Sequence, residues 1–270
     1  MQNMKITLSV AQLREANFDE RSVAEFKLCF GEEVEILWNP LHELLIRKDP
    51  QLQNLFFTLL NKQLLPCFSF ANFDLSNMDL HGIDFRHANL KHVNFSNSNL
   101  TEACFDHAFL EDANLQYTNC DGASFYNTNL YNAKLCFAKL NNVDFRFADL
   151  RYAAFNTTIL KKADFYYANL INTNFSNADL KNAVLCSTNL MNANLHNADF
   201  SNTDLFYANL TGALTDNTNF SGAILTRTNL ASTNLNNCNL SNVYFNSTLY
   251  DTYTQFPDDF KITKELILLP

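Results

Sequence analysis

The sequence predicts an all-β solenoid, a four-sided β-helix of about nine coils over residues 67–250. Three regularities predict it. Leu or Phe stands at all but two of 36 positions spaced five residues apart, from Phe70 to Phe245. Ala or Thr stands two residues before 27 of these positions. No proline interrupts the stretch between Pro66 and Pro257, so its backbone N–H groups are free to bond.

A five-residue period fits neither the 3.6-residue helix nor the two-residue strand. The Leu or Phe of each repeat, here called the centre, and the small residue two positions earlier point the same way in extended backbone. The Asn or Asp between them then points outward, and the remaining two residues turn the chain. The second turn residue is Asn in 15 and Gly in 4 of 35 repeats, and both tolerate the positive φ of a type II turn.

Twenty-residue ladders indicate how many repeats close one coil. Phe85, Phe105, Phe125, Phe145 and Phe165 form one ladder, and a Leu ladder begins at Leu90. Like residues stack if each coil has four sides, so 36 repeats make about nine coils. At about 4.8 Å per coil, the solenoid is roughly 43 Å long.

The repeat, A-N/D-L-x-x, resembles that of the pentapeptide-repeat family over residues 68–250. The segment Thr254-Gln255-Phe256-Pro257-Asp258-Asp259-Phe260 is similar to the T-x-F-P-D-G-F closing segment of many members, with Asp259 in place of Gly. The resemblance implies a right-handed quadrilateral β-helix. It specifies the fold and says little about function.

Residues 1–66 lack a sustained repeat and read as a small, mainly helical N-terminal capping domain. Asn39-Pro40 and Asp49-Pro50 predict helices near 40–48 and 50–65. The apolar face of the second helix is expected to cover the first coil. Residues 22–38 allow two interpretations. Ser22-x-x-Glu25 is a capping box, whereas alternation on both sides of Gly31-Glu32 favours a hairpin, which we prefer.

The two ends of the solenoid depart from the repeat. Phe68, Phe73, Met78 and Ile83 replace the small inward residue and predict a wider or irregular start. Residues 251–270 are expected to form a C-terminal cap, in which the apolar run from Ile262 to Leu269 makes a short helix or strand over the last coil.

Composition and charge narrow the functional classes. A net charge of −9 argues against direct nucleic-acid binding, and no apolar run is long enough for a membrane span. The seven cysteines show no paired spacing, and Cys120 and Cys238 occupy inward slots. Free thiols favour a cytoplasmic bacterial protein, with export as an effector as the alternative. We expect a monomer or weak dimer.

No catalytic constellation occurs, and we expect no enzymatic activity, cofactor or metal. His87 and His107 share one column with His92 nearby, but a metal site needs more ligands. Asp144 and Asp164 also share a column, but a column on a convex solenoid offers no cleft for acid–base chemistry.

The outward residues suggest a binding surface. In the 20-residue register, two neighbouring corners and the face between them carry aromatic and arginine side chains, whereas the corner that begins with His81-Gly82 is polar. These types are enriched at protein interfaces. We call this candidate partner surface the aromatic side. It comprises Phe109, Tyr126, Tyr131, Arg146, Phe147, Arg151, Tyr152, Tyr166, Tyr167, Ile171, Met191, Phe206 and Tyr207.

Four interpretations remain open at the level of sequence. The aromatic side binds an unknown protein partner in a non-catalytic scaffold, or its rings only stiffen the solenoid by stacking. Family relatives that protect gyrase suggest a DNA-mimicking topoisomerase inhibitor. Residues 68–250 hold 15 acids and 10 bases, however, whereas duplex DNA of that length carries about 25 charges. A translocated bacterial effector that binds a host protein is the fourth.

Overall fold

The computed structural model describes residues 5–9, 11, 14, 23, 27, 33–37 and 69–270. The chain divides into two compact units, residues 1–68 and 69–270. The predicted helices near 40–48 and 50–65, including the face expected to cover the first coil, lie outside the described residues.

In the first unit, strands β1 (Lys5–Ser9) and β2 (Glu33–Leu37) form an antiparallel sheet, with Lys5 opposite Leu37 and Ser9 opposite Glu33. The preferred hairpin is therefore wrong. Its second strand forms, but it pairs with a segment far upstream. Val23 and Lys27 are helical, which agrees with the capping-box alternative. Val23 is buried, with 2% of its surface exposed.

The second unit is a four-sided β-helix. Parallel bridges join residues 20 apart in four columns that begin at Ser69, Asp74, Asp79 and Asp84. We call these columns the first to the fourth face. Each bridging residue is the outward one of its repeat, while the centre and the small residue two before it point inward. The predicted inward and outward pattern and the four repeats per coil are thus confirmed.

The core consists of the predicted ladders. The rings of Phe105 and Phe125 stack with centroids 4.7 Å apart, and Phe125 and Phe145 continue the stack at 5.1 Å. Buried threonines in the small inward slot keep their hydroxyls bonded. Thr218 Oγ1, for example, donates to the carbonyl of Leu195 one coil earlier at 2.7 Å. The core therefore leaves these polar atoms satisfied.

Every turn follows one plan. Within the β-helix, 31 non-glycine residues and four glycines have positive φ, all at the second turn position. Asn237 is the exception at that position. The left-handed turns at Asn72, Asn77 and Gly82, and the bridges beside them, match those of later coils. The irregular start expected from the large inward residues Phe73 and Met78 is not found, because both side chains fit the core.

One side of the β-helix carries a break. On the second face, the described residues show a bridge from Asn194 to Leu214 and another from Asn234 to Gln255, but none between Leu214 and Asn234. The hydroxyl of Thr215 donates to the Asn234 carbonyl. Asn234 and Gln255 are 21 residues apart, so the last coil carries one extra residue. Thr215 is one of the two centres that are neither Leu nor Phe.

The C-terminal end closes with strands β3 (Thr248–Tyr250) and β4 (Leu266–Leu268), which pair in parallel. Of the predicted helix and strand, the strand forms. Between them, the rings of Phe256 and Phe260 stack 4.7 Å apart. Asp259 has no positive φ, so the turn that ends with the Phe260 N–H bonded to the Pro257 carbonyl at 2.9 Å does not require glycine.

The left-handed turns predict an asymmetric effect of threonine and asparagine. Thr157 is β-branched and has φ 60°, and Asn177, one coil later in the same column, has φ 59°. Positive φ is costly for a β-branched residue. We expect Thr157→Asn to raise the free energy of unfolding by about 1 kcal/mol. The reverse exchange, Asn177→Thr, should lower it by a similar amount in urea unfolding followed by circular dichroism. Equal effects of both would contradict the strain.

Candidate functional site

Two corners of the β-helix and the face between them position the aromatic side. The first corner comprises the turn pairs from Arg86-His87 to Thr226-Arg227, and the second comprises those from Lys91-His92 to Ala231-Ser232. Both turn residues of a pair lie outside the core because the centre before them points inward. Successive pairs lie one coil apart, so their side chains meet in columns.

The first corner carries a continuous aromatic stack. The rings of Tyr126 and Phe147 meet edge to face at 5.6 Å, and those of Phe147 and Tyr167 stack at 5.7 Å. Tyr166 contacts both Phe147 and Tyr167. Cys186 and Ser187 then interrupt the stack for one coil, and Phe206 and Tyr207 resume it. The structure therefore brings together five of the predicted residues in one continuous group.

The second corner and the first face bring together fewer of the predicted residues. Tyr131 and Tyr152 meet edge to face with ring centroids 5.4 Å apart. Phe109 is exposed on the first face, with the Lys91 Nζ atom 5.8 Å from its ring centroid. Ile171 and Met191 are partly buried turn residues farther along the corner.

The two predicted arginines are already engaged within the chain. The Arg146 guanidinium grips Asp144 through Nε at 2.9 Å and Nη2 at 2.6 Å, and lies 5.5 Å from the Tyr126 ring centroid. Arg151 repeats this arrangement with Asp149 and Tyr131. The hydrogen bond and charge of Asp144 raise the pKa of Arg146. These pairs are exposed, so each stabilises the fold by about 1 kcal/mol or less.

The exposed aromatics occupy costly backbone positions. Phe147, Tyr152, Tyr167 and Tyr207 have φ between 58° and 61°, yet between 43% and 53% of each residue remains exposed. A bulky residue at positive φ is an outlier, because its Cβ crowds the backbone. Asn, the commonest residue at this position, would relieve the crowding. Their stacking offsets part of the strain, at about 0.5–1.5 kcal/mol per pair.

Exposed aromatics are not confined to the aromatic side, contrary to the sequence analysis. Tyr117 and Phe137 stack with centroids 4.9 Å apart at the third corner, which follows the second face. Tyr244 on the fourth face is 65% exposed. The same 20-residue arithmetic applied to the third corner would have found the first pair. Sequence reasoning also missed Arg227, whose guanidinium lies 5.2 Å from the Tyr207 ring centroid.

The columns considered for chemistry have ordinary local contacts. His87 and His107 stack with centroids 5.0 Å apart, and His107 Nδ1 lies 2.9 Å from Asn127 Nδ2. Asp144 is held by Arg146. In the described part of the chain, no three His, Cys, Asp or Glu residues come close enough to share a metal ion.

The described cysteines are free thiols with buried or partly buried side chains. Cys120 fills a core slot as predicted, and burial raises its pKa to about 12. Cys238 also lies in an inward slot but is only partly buried. Burial, followed by contact with Asp204, raises the pKa of Cys186 to about 12. None of these three thiols is activated as a nucleophile, because activation needs a lowered pKa.

No helix among the described residues is both long and apolar enough to cross a bilayer.

Solved structures that resemble the chain are pentapeptide repeat proteins. HetL from the cyanobacterium Nostoc sp. strain PCC 7120, involved in heterocyst differentiation regulation, is 23% identical, covers 72% of this chain and 91% of its own, and has a TM-score of 0.32. QnrB1, a plasmid-mediated fluoroquinolone resistance protein, is 18% identical over 71% of this chain and 89% of its own, with a TM-score of 0.42.

A third similar structure is a pentapeptide repeat protein from the thylakoid lumen of Arabidopsis thaliana. It is 26% identical, covers 42% of this chain and 68% of its own, and has a TM-score of 0.27. No curated protein sequence matches the chain significantly.

The family model for pentapeptide repeats matches the chain in eight copies, in overlapping segments between residues 67 and 242. These segments cover the β-helix from its first coils to its penultimate ones, and the match agrees with the four columns of bridges. The chain belongs to the pentapeptide repeat family, with the right-handed quadrilateral β-helix of that family.

Proposed function

We propose that this chain is a non-catalytic protein-binding module that contacts its partner through the aromatic side. One observation carries the proposal. Phe147, Tyr152 and Tyr167 keep large exposed rings at left-handed turn positions, where asparagine would be less strained. Strained residues that persist on a surface point to a function that needs them.

The chemistry of the aromatic side suits a protein partner. Tyrosine, phenylalanine and arginine are enriched in the central, energetically dominant parts of interfaces. The rings of Phe147 and Tyr167 lie nearly parallel, at 12°, so they cover each other's faces and present their edges and a hydroxyl outward. Stacking in the free protein fixes these rings in advance, which lowers the entropy lost on binding.

Charge pairing disfavours the topoisomerase-inhibitor alternative. A mimic of duplex DNA needs unpaired acids along its length. Here Asp84 pairs with Arg86 at 2.6 Å, and Lys161 and Lys181 pair with Asp179 and Asp199 at 3.2 and 3.0 Å. Side-chain hydrogen bonding to Arg86 lowers the pKa of Asp84. The acids of the β-helix are thus largely offset by neighbouring bases.

A triple variant tests the proposal. Changing Phe147, Tyr152 and Tyr167 to Asn removes three exposed rings and relieves three strained turns. We expect the free energy of unfolding to change by less than about 1 kcal/mol per site, because lost stacking and relieved strain oppose each other. Proteins that bind the full-length wild-type chain in extracts of its own cells should fall about tenfold or more in quantitative affinity purification.

The control uses the aromatic pair of the third corner. Tyr117→Asn with Phe137→Asn makes the same chemical change at the same turn position, outside the aromatic side. It should leave the captured proteins unchanged. If the triple variant captures the same proteins as the wild type, or is destabilised by several kcal/mol, the rings serve only to stiffen the solenoid.

A further inference from the structure

A groove near the C-terminal end of the first face has a composition unlike the rest of the surface. Its volume is about 580 Å³. Tyr207 and Arg227 form one wall, Leu249 and Ile267 the apolar part, and Asn209 and Asn229 contribute side-chain amides. Tyr207 belongs to the aromatic side, and Ile267 belongs to β4.

Arg227 differs from the arginines of the aromatic side in one respect. Arg146, Arg151 and Arg227 each lie over the ring of a tyrosine 20 residues earlier. The first two hold a carboxylate in their fork, Asp144 and Asp149. Within the described part of the chain, no carboxylate lies within 4.0 Å of Arg227.

The sequence explains the missing carboxylate. The outward residue on the strand before Arg146 is Asp144, but the equivalent residue before Arg227 is Ile224. Ile224 is 39% exposed and offers no hydrogen-bond acceptor in its side chain. The acid that would neutralise the guanidinium is therefore replaced by an apolar residue.

The position of the Arg227 guanidinium is fixed without a carboxylate. Its Nη1 donates to the Tyr207 hydroxyl, and its Cζ lies 5.2 Å from the ring centroid. These contacts leave its other N–H donors available. A guanidinium fork matches a carboxylate in two-point geometry, and such charge-assisted bonds are the stronger kind.

We propose that this groove binds the free C-terminal carboxylate of a partner peptide that ends in an aliphatic residue. Arg227 holds the carboxylate, Leu249 and Ile267 contact the terminal side chain, and the amides of Asn209 and Asn229 face the peptide backbone. The inference rests on the proposed function, since it places one end of the partner beside the aromatic side. Capture of a C-terminal carboxylate is an established way in which proteins recognise peptides.

The test is a nuclear magnetic resonance titration of the full ¹⁵N-labelled chain with two probes. One is acetyl-Ala-Ala-Leu with a free carboxylate, and the other is the same peptide with a C-terminal amide. We expect the acid to shift the backbone amide signals of Asn229, Ile267 and Arg227, and to bind about tenfold more tightly than the amide. Arg227→Gln should abolish this preference.

Arg86→Gln is the matched control, because Arg86 is held by Asp84 and lies at the other end of the β-helix. It should leave probe binding unchanged. Tyr207→Phe, which frees the Arg227 guanidinium, should weaken acid binding while the remaining spectrum stays that of the folded wild type.

Equal binding of acid and amide, binding of neither, or unchanged binding by Arg227→Gln would each overturn the assignment. The titration needs no natural partner, so any of these results leaves the proposed function standing. The triple aromatic variant keeps the groove and should still bind the acid probe, even where it no longer captures the partner.

Discussion

Phe145→Ala is expected to lower the free energy of unfolding by about 3–5 kcal/mol. Phe145 is completely buried and lies in the middle of the ladder, with ring centroids 5.1 Å from Phe125 and 5.0 Å from Phe165. The Phe155 ring meets it edge to face at 5.7 Å. Removing the ring leaves a cavity between three coils, and regular bridges on all four faces limit how far the coils can collapse into it.

Urea unfolding followed by far-ultraviolet circular dichroism measures this loss. The matched control is Phe147→Ala, which removes the same side chain two residues away from an exposed turn. We expect it to cost about 1 kcal/mol or less, since only stacking is lost while a strained turn is also eased. Similar losses for the two variants would mean that the phenylalanine ladder is not the main source of stability.

Asp251→Asn is expected to loosen the C-terminal end of the β-helix. Asp251 accepts bonds from the Ser232 N–H and hydroxyl, both at 2.8 Å, and from the Thr254 N–H and hydroxyl, both at 2.9 Å. The Tyr253 N–H adds a bond at 3.1 Å. One carboxylate thus joins two successive coils at the point where β3 ends. An amide, which has a single acceptor oxygen, cannot accept all of these bonds.

The effect of Asp251→Asn should depend on pH. Partial burial acts to raise the pKa of Asp251, but the bonds from Ser232, Thr254 and Tyr253 outweigh it and lower the pKa from 3.8 to about 2. A lowered pKa in the folded state means that the stabilisation is complete above about pH 4. It is then lost as the pH falls through 2.

Thermal unfolding of wild type and variant at several pH values measures this dependence. The melting temperatures should differ by several degrees near neutral pH and converge towards about pH 2. Asp259→Asn, at an exposed site in the same cap, should show no such difference. A constant gap at every pH would indicate that Asp251 acts by packing rather than by charge.

The repeat made the second unit predictable from sequence because its signals agree at several levels. The five-residue spacing of Leu and Phe, the turn asparagines and the recurrence of Phe105, Phe125 and Phe145 every 20 residues all require the same four-sided coil. The arrangement of the aromatic side followed from the same arithmetic. Each outward residue meets the one 20 positions later, as the contact of Phe147 with Tyr167 shows.

The first unit was less predictable because its pairing is not local. Alternation in residues 33–37 correctly indicated a strand, but nothing in that segment shows that its partner is Lys5–Ser9 rather than a nearer stretch. The state of Arg227 was also hidden. An arginine in a turn pair appears the same in sequence whether its fork is filled or open. The difference depends on Ile224, which stands where Arg146 has Asp144.

The break on the second face shows how this architecture can accommodate a change in length. The last coil holds one residue more than the others, and the extra residue is absorbed where Leu214 and Asn234 are not bridged. The other three faces keep their 20-residue bridges past this point, as Asn209 with Asn229, Asn219 with Asn239 and Ile224 with Tyr244. A quadrilateral solenoid therefore tolerates an insertion at the expense of a single side, and its length can evolve without a new core.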